Sequence, residues 1–134
     1  MIPPTPPPLV SILVISWNTC SLLDECIHSV YSTAEGIPVE IIVIDNGSVD
    51  GSVDMIATKY PDVILVQNHK NLGFARANNQ AAELAHGNYI LLLNSDAQLL
   101  PQTLATFVHH AQSHPQTGAV GAQLRYPDGR FQYS

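Results

Sequence analysis

Short runs of β-branched and leucine residues alternate along this chain with longer stretches of mixed, helix-like pattern. The first run, Leu9-Val-Ser-Ile-Leu-Val-Ile15, is followed by polar Ser16-Trp17-Asn18-Thr19 and a predicted helix from Ser21 to Ser32. The second, Val39-Glu-Ile-Ile-Val-Ile-Asp45, leads through Asn46-Gly47-Ser48 into a predicted helix from Gly51 to Tyr60. Pro61 stops that helix, because its ring clashes with the preceding turn. A third strand, Val63-Ile-Leu-Val66, precedes Asn68-His-Lys-Asn-Leu-Gly73 and an alanine-rich helix expected to end near His86-Gly87. The fourth, Tyr89-Ile-Leu-Leu-Leu93, is followed by Asn94-Ser95-Asp96 and a helix begun by Pro101. A last strand containing Val120 and a turn at Pro127-Asp128-Gly129 complete the pattern. Such alternation predicts an α/β fold, a mainly parallel sheet with its first strand central and helices on both faces.

In an open parallel sheet, ligands bind beyond the carboxyl ends of the strands. Here all of those ends are polar: Ser16-Trp17-Asn18, Asp45-Asn46-Gly47-Ser48, Asn68 and Asn94-Ser95-Asp96. The same residue types also make turns and helix caps, so each segment taken alone has a purely structural reading. Asp45 and Asp96 are expected at one edge of the sheet.

Composition narrows the field. A chain of 134 residues, 46% of them hydrophobic, has enough apolar side chain for one core and one domain over residues 9–134. Residues 1–8 are proline-rich with no basic stretch leading into an apolar one, so they read as a flexible leader and not a signal peptide. The formal charge of −6 and the absence of any Lys/Arg run argue against a nucleic-acid partner. Cys20 and Cys26 are too few for a structural zinc site and poorly spaced for a disulfide, which suits a reducing, cytoplasmic compartment. The histidines cluster at His109, His110 and His114, where a solvated helix face is expected rather than a metal site.

Four segments occur together in order: Val10-Ser-Ile-Leu-Val-Ile-Ser-Trp-Asn18, Val43-Ile-Asp-Asn-Gly-Ser-Val-Asp-Gly-Ser52, Asn71-Leu-Gly-Phe-Ala-Arg-Ala-Asn-Asn79 and Tyr89-Ile-Leu-Leu-Leu-Asn-Ser-Asp96. This ordered set resembles the N-terminal, nucleotide-sugar-binding region of family 2 inverting glycosyltransferases with the GT-A, Rossmann-like fold. The likeness is strongest from Leu9 to Ala97 and weaker to Ser134. It implies a nucleotide diphosphate sugar, of UDP or dTDP type, as donor and a glycan or lipid-linked acceptor, in the service of cell-surface polysaccharide synthesis. Peripheral membrane association of the full-length protein would accompany such an acceptor.

The resemblance also assigns residues. The family places the base against the ends of the first two strands, where Trp17 would offer a flat face and Asp45 or Asn46 would accept from a ring N–H. The alternative for Trp17 is a core aromatic, and for Asp45 a turn or cap. Where the family usually has an acidic pair, this chain has Asp45 and Asn46. Ser16, Asn18, Ser48 and Ser95 complete the polar lining. Asn71, Gly73 and Asn79 surround the start of the third helix, whose N–H groups favour phosphate, although the family uses this stretch mostly as pocket wall. Arg76 either reaches the ligand or is solvated.

Asn94-Ser95-Asp96 stands in the position of the family's Asp-X-Asp motif, so Asp96 would hold Mg or Mn on the diphosphate, hard oxygen ligands suiting hard cations. Asn94 replaces the first carboxylate, a form resembling rhamnosyltransferases. Inverting transfer also needs a general base. After Asp96 the sole acidic residue is Asp128, in a turn, so the chain is expected to stop before the acceptor and catalytic-base half, and by itself to be inactive. A non-catalytic nucleotide-binding module is the alternative. A nicotinamide-binding domain would need Gly-x-Gly-x-x-Gly after the first strand, where Ser16-Trp17-Asn18-Thr19 stands instead.

Overall fold

The computed structural model describes residues 6–133. Four strands and four helices alternate: β1 (Val10–Ser16), α1 (Cys20–Thr33), β2 (Val39–Asp45), α2 (Ser52–Lys59), β3 (Ile64–Gln67), α3 (Phe74–Glu83), β4 (Tyr89–Asn94) and α4 (Thr103–Ser113). All strand pairs are parallel, in the order β3-β2-β1-β4, so β1 has a neighbour on each side. Of the expected leader, residues 1–5 lie outside the described residues, and 6–8 have no regular structure.

Burial on both faces explains why β1 and β2 read as continuous apolar runs rather than alternating ones. Successive side chains point to opposite faces. Val10, Ile12 and Val14 with Ile41 and Val43 meet Leu23, Ile27 and Val30 of α1, Ile56 of α2, and Leu104 and Val108 of α4. Leu13, Ile42 and Ile44 meet Ala77 and Ala81 of α3 on the other face. The two layers are unequal: three helices cover one face and one helix, seated on methyl groups, covers the other. Beyond the reach of α3, Ile90 and Leu92 of β4 stay more than half exposed.

Three expectations need correction. The third helix ends at Glu83 and not near His86-Gly87. Beyond it the backbone N–H of His86 donates to Glu40 Oε1 and that of Gly87 to Ser11 Oγ, which draws the chain off the helix and into β4. Gly87 is required there by closeness, because a Cβ would stand 2.6 Å from the Ser11 nitrogen. Pro101 lies in a turn, and α4 begins two residues later, after Gln102 at φ +67°. Finally, no strand forms around Val120. Residues 117–124 are exposed and join no strand ladder, and Gly118 and Gly121 leave little side chain to pack. The turn at 127–129 does form, closed by an isolated bridge between Arg125 and Phe131.

Candidate functional site

Parallel pairing places Ser16 beside Asp45, Asp45 beside Gln67, and Ile15 beside Asn94, so every strand delivers its polar end to the same edge. Asp45 and Asp96 therefore share that edge, as expected. How the loops there are joined decides which side chains remain free for a ligand.

The loops after β1 and β2 are laced together. The Asn18 N–H donates to Ser48 Oγ (2.9 Å), and Asn18 Oδ1 accepts from the Val49 N–H (2.9 Å). Asn18 holds φ +52°, a left-handed conformation that Asn tolerates better than most residues. Asp50 ties the same loops from the other side: Oδ2 accepts from Cys20 N, the first residue of α1, and Oδ1 from both N and Oγ of Ser52, the first residue of α2. One carboxylate thus serves two helix N-termini, and its hydrogen bond from Ser52, followed by those from the backbone, holds its pKa below the usual range despite some opposing desolvation. On these laced loops Trp17 is 56% exposed and Val49 is almost fully exposed, so Trp17 is not a core aromatic.

Asp45 is fully buried. Its Oδ2 accepts from the N–H groups of Gly47 (3.1 Å) and Ser48 (2.9 Å), making the turn that Gly47 completes at φ +86°. Oδ1 has no partner, the only such buried side-chain oxygen or nitrogen among the described residues. Buried polar atoms are nearly always paired, so an orphan carboxylate oxygen calls for a donor. Asn46, by contrast, is saturated. Its Nδ2 donates to Asn71 Oδ1 and Gly73 O, and its Oδ1 accepts from Asn68 Nδ2 and the Leu72 N–H. Of the two candidate acceptors, Asp45 is the one with capacity left, and Asn46 fastens the 68–73 loop.

Asn71 also closes a tight turn just before α3, accepting from the Gly73 N–H at 2.8 Å. Asn79 and Arg76 are exposed on α3 with no hydrogen-bond partner among the described residues. On the far side, Asn94 and Asp96 are exposed and Ser95 is half-buried. The Asn94-Ser95-Asp96 segment is held from beneath by α1: Thr19 Oγ1 donates to Ser95 Oγ (3.1 Å), Cys26 Sγ to Asn94 O (3.4 Å), and Leu99 N to Ser29 Oγ (3.0 Å). Burial, reinforced by the Asp96 charge, pushes the Cys26 thiol up to about 12, so it stays a donor. Both cysteines are free. No group of three or more His, Cys, Asp or Glu gathers as a metal site among the described residues, and His110 of α4 stacks on His114 just past its end.

Sequence reasoning missed Asp50, Thr19, Cys26 and Ser29 as supports of the site. Asp50 had a legible signal, an acid two residues before a helix-starting serine. The others depend on contacts about 70 residues away and had none.

The sequence model of Glycosyl transferase family 2 matches residues 11–134, nearly the whole chain. The chain belongs to that family. An N-acetylglucosaminyl-diphospho-decaprenol L-rhamnosyltransferase of Mycobacterium tuberculosis is 32% identical over 109 residues, which make up 73% of this chain and 36% of that protein. Among solved structures, a mannosyltransferase from Pyrobaculum calidifontis, in complex with GDP-Man and Mn2+, superposes with a TM-score of 0.74 at 27% identity, covering 92% of this chain and 37% of that one. TarS of S. aureus with UDP gives 0.69 at 18% identity over 90% of this chain and 43% of its own, which is likeness of fold. The expected α/β, GT-A-type architecture is therefore the observed one. This family 2 chain spans well under half the length of the relatives it matches. No helix among the described residues is long and apolar enough to cross a membrane.

Proposed function

We propose that this chain is the donor-binding portion of an inverting family 2 glycosyltransferase, holding a nucleotide diphosphate sugar of UDP or dTDP type for transfer to a glycan or lipid-linked acceptor. The observation that carries the reading is the orphan Oδ1 of Asp45 at the mouth of the sheet. A base N–H supplies the missing donor, and exposed Trp17 stacks on the base face. The diphosphate then points from the ends of β1 and β2 toward Asp96.

Asp96 is an exposed carboxylate with no side-chain partner among the described residues, beside a neutral Asn94, a donor set that suits Mg or Mn only when phosphate oxygens and water complete the shell. When bound, such a cation neutralises diphosphate charge. Within 97–133 the one acid, Asp128, is paired with Arg130 in an exposed turn, so these residues offer no general base. The neutral Asn94 in place of the motif's first carboxylate favours, as second reading, a nucleotide-binding module without transfer.

Titrating UDP and dTDP with and without manganese, in the parent and in Asp96→Ala, tests the proposal. Metal should tighten nucleotide binding in the parent and not in the variant, and coupling must be reciprocal. No binding of either nucleotide, at millimolar concentration with manganese, refutes it.

A further inference from the structure

A threonine at a helix N-cap ordinarily turns its hydroxyl onto the first helical N–H groups. Thr19, the N-cap of α1, does not: its side chain makes no capping bond. Asp50, reaching across from the next loop, takes the N–H of Cys20, the first helical residue. The Thr19 hydroxyl, engaged in no cap, bridges two strands' ends. It lies 3.1 Å from Ser16 Oγ, at the end of β1, and donates to Ser95 Oγ at 3.1 Å, 76 residues away in the segment after β4.

A hydroxyl has one proton and two acceptor sites. Since the Thr19 proton goes to Ser95, the contact with Ser16 is made by the Ser16 proton, and the row runs Ser16 to Thr19 to Ser95. Thr19 adds a side-chain link between the Asn94-Ser95-Asp96 segment and the loop that carries Trp17, beyond the β1–β4 ladder, which reaches only as far as Asn94 beside Ile15. Cys26 and Ser29, about two and nearly three turns further along α1, hold Asn94 and, just past the segment, Leu99, but have no bond to the end of β1.

We propose that Thr19 is a positioning residue of the donor site, setting the spacing between the place where the nucleotide base is held and the carboxylate of Asp96. This rests on the donor-site reading above. Metal and base grip opposite ends of one diphosphate, so their mutual reinforcement depends on that spacing, whereas base binding alone does not. A loss of binding from a small misplacement is the expected behaviour of such geometry.

The test compares UDP affinity with and without manganese in the full 134-residue chain for the parent, Thr19→Val and Thr19→Ser. Valine matches threonine in shape and deletes the hydroxyl; serine restores it. In Thr19→Val the manganese enhancement should fall at least about fivefold while metal-free UDP affinity stays within about twofold, and Thr19→Ser should restore the enhancement. If Thr19→Val does not melt cooperatively, Thr19→Ala, which deletes the same hydroxyl without a branched side chain to accommodate, carries the test with the same expected split. A parent without manganese enhancement overturns the metal reading and this inference with it. A parent that shows enhancement, with Thr19→Val or its substitute keeping all of it, overturns the inference alone.

Discussion

Asp45→Asn separates the role of Asp45 in the fold from its role toward a ligand. Asn keeps the size of Asp and one carbonyl oxygen. That oxygen can take over the bonds that Oδ2 now accepts from Gly47 and Ser48, at 3.1 and 2.9 Å, so the turn survives. The change removes a buried, half-unpaired charge, which offsets what weaker neutral bonds cost, so the melting temperature should stay within about 2 °C. Binding behaves differently. The amide NH2 falls where orphan Oδ1 stood and presents a donor to the donor of the base. A hydrogen bond to a charged acceptor contributes about 1.5–3 kcal/mol. At tenfold per 1.4 kcal/mol, UDP should bind about 10- to 150-fold more weakly. Inorganic pyrophosphate has no base and should bind parent and variant alike in manganese. Calorimetric titration of both ligands, with a thermal melt of each protein, decides the matter. If UDP affinity is unchanged while the melt is unchanged, Asp45 serves only the turn and the base lies elsewhere.

Three further outcomes follow from the geometry. Gly87→Ala should destabilise the chain by about 2–4 kcal/mol through overpacking against Ser11 and loss of the Gly87–Ser11 bond, lowering the melt by about 8–15 °C, whereas Gly121→Ala, with open space around it, should be near neutral. Equal melts for the two would show that β1 yields there easily. Asp50→Asn should flatten acid unfolding: the Asp50 carboxyl sits below its unfolded pKa of about 3.9, so its stabilisation is present above that pH and lost as pH falls through the lower folded value. Melting curves of parent and variant should then converge in acid, and parallel curves from pH 7 downward would contradict this. Asn46→Ala removes the four contacts that hold the 68–73 loop and should cost about 2–3 kcal/mol in urea unfolding, with proteolytic nicking moving to that loop as the confirming sign.

The sequence showed the repeated strand-loop-helix units, and with them the parallel sheet, the common edge and the family. It did not show which polar side chains at that edge are already occupied. Asn18, Ser48 and Asn46 look as ligand-ready as Asp45 in the sequence, yet their partners are 22 to 31 residues away on other loops, and no local pattern records them. The apolar run of β4 predicts a strand but not how much of it is covered. Exposure of Ile90 and Leu92 reflects how far α3 reaches across the sheet, which is a property of packing. Around Val120 the β-branched signal had no neighbouring strand to pair with, and pairing is what makes a strand.

The row of hydroxyls from Ser16 through Thr19 to Ser95 has a consequence for how the molecule forms. Its two halves are brought together only when β4, about 79 positions along the chain, closes onto β1 in register, Tyr89 beside Val10. Closing so large a loop is among the most entropically expensive steps the chain takes, and parallel pairings of this kind form slowly. The pieces after β1 and β2 can be laced by Asn18 and Asp50 beforehand, which on the proposed donor-site reading gives a half-site able to meet a base but not a cation. On that reading, competence to hold both ends of a diphosphate arrives with β4, and metal-enhanced binding should appear during refolding only when β4 has paired with β1.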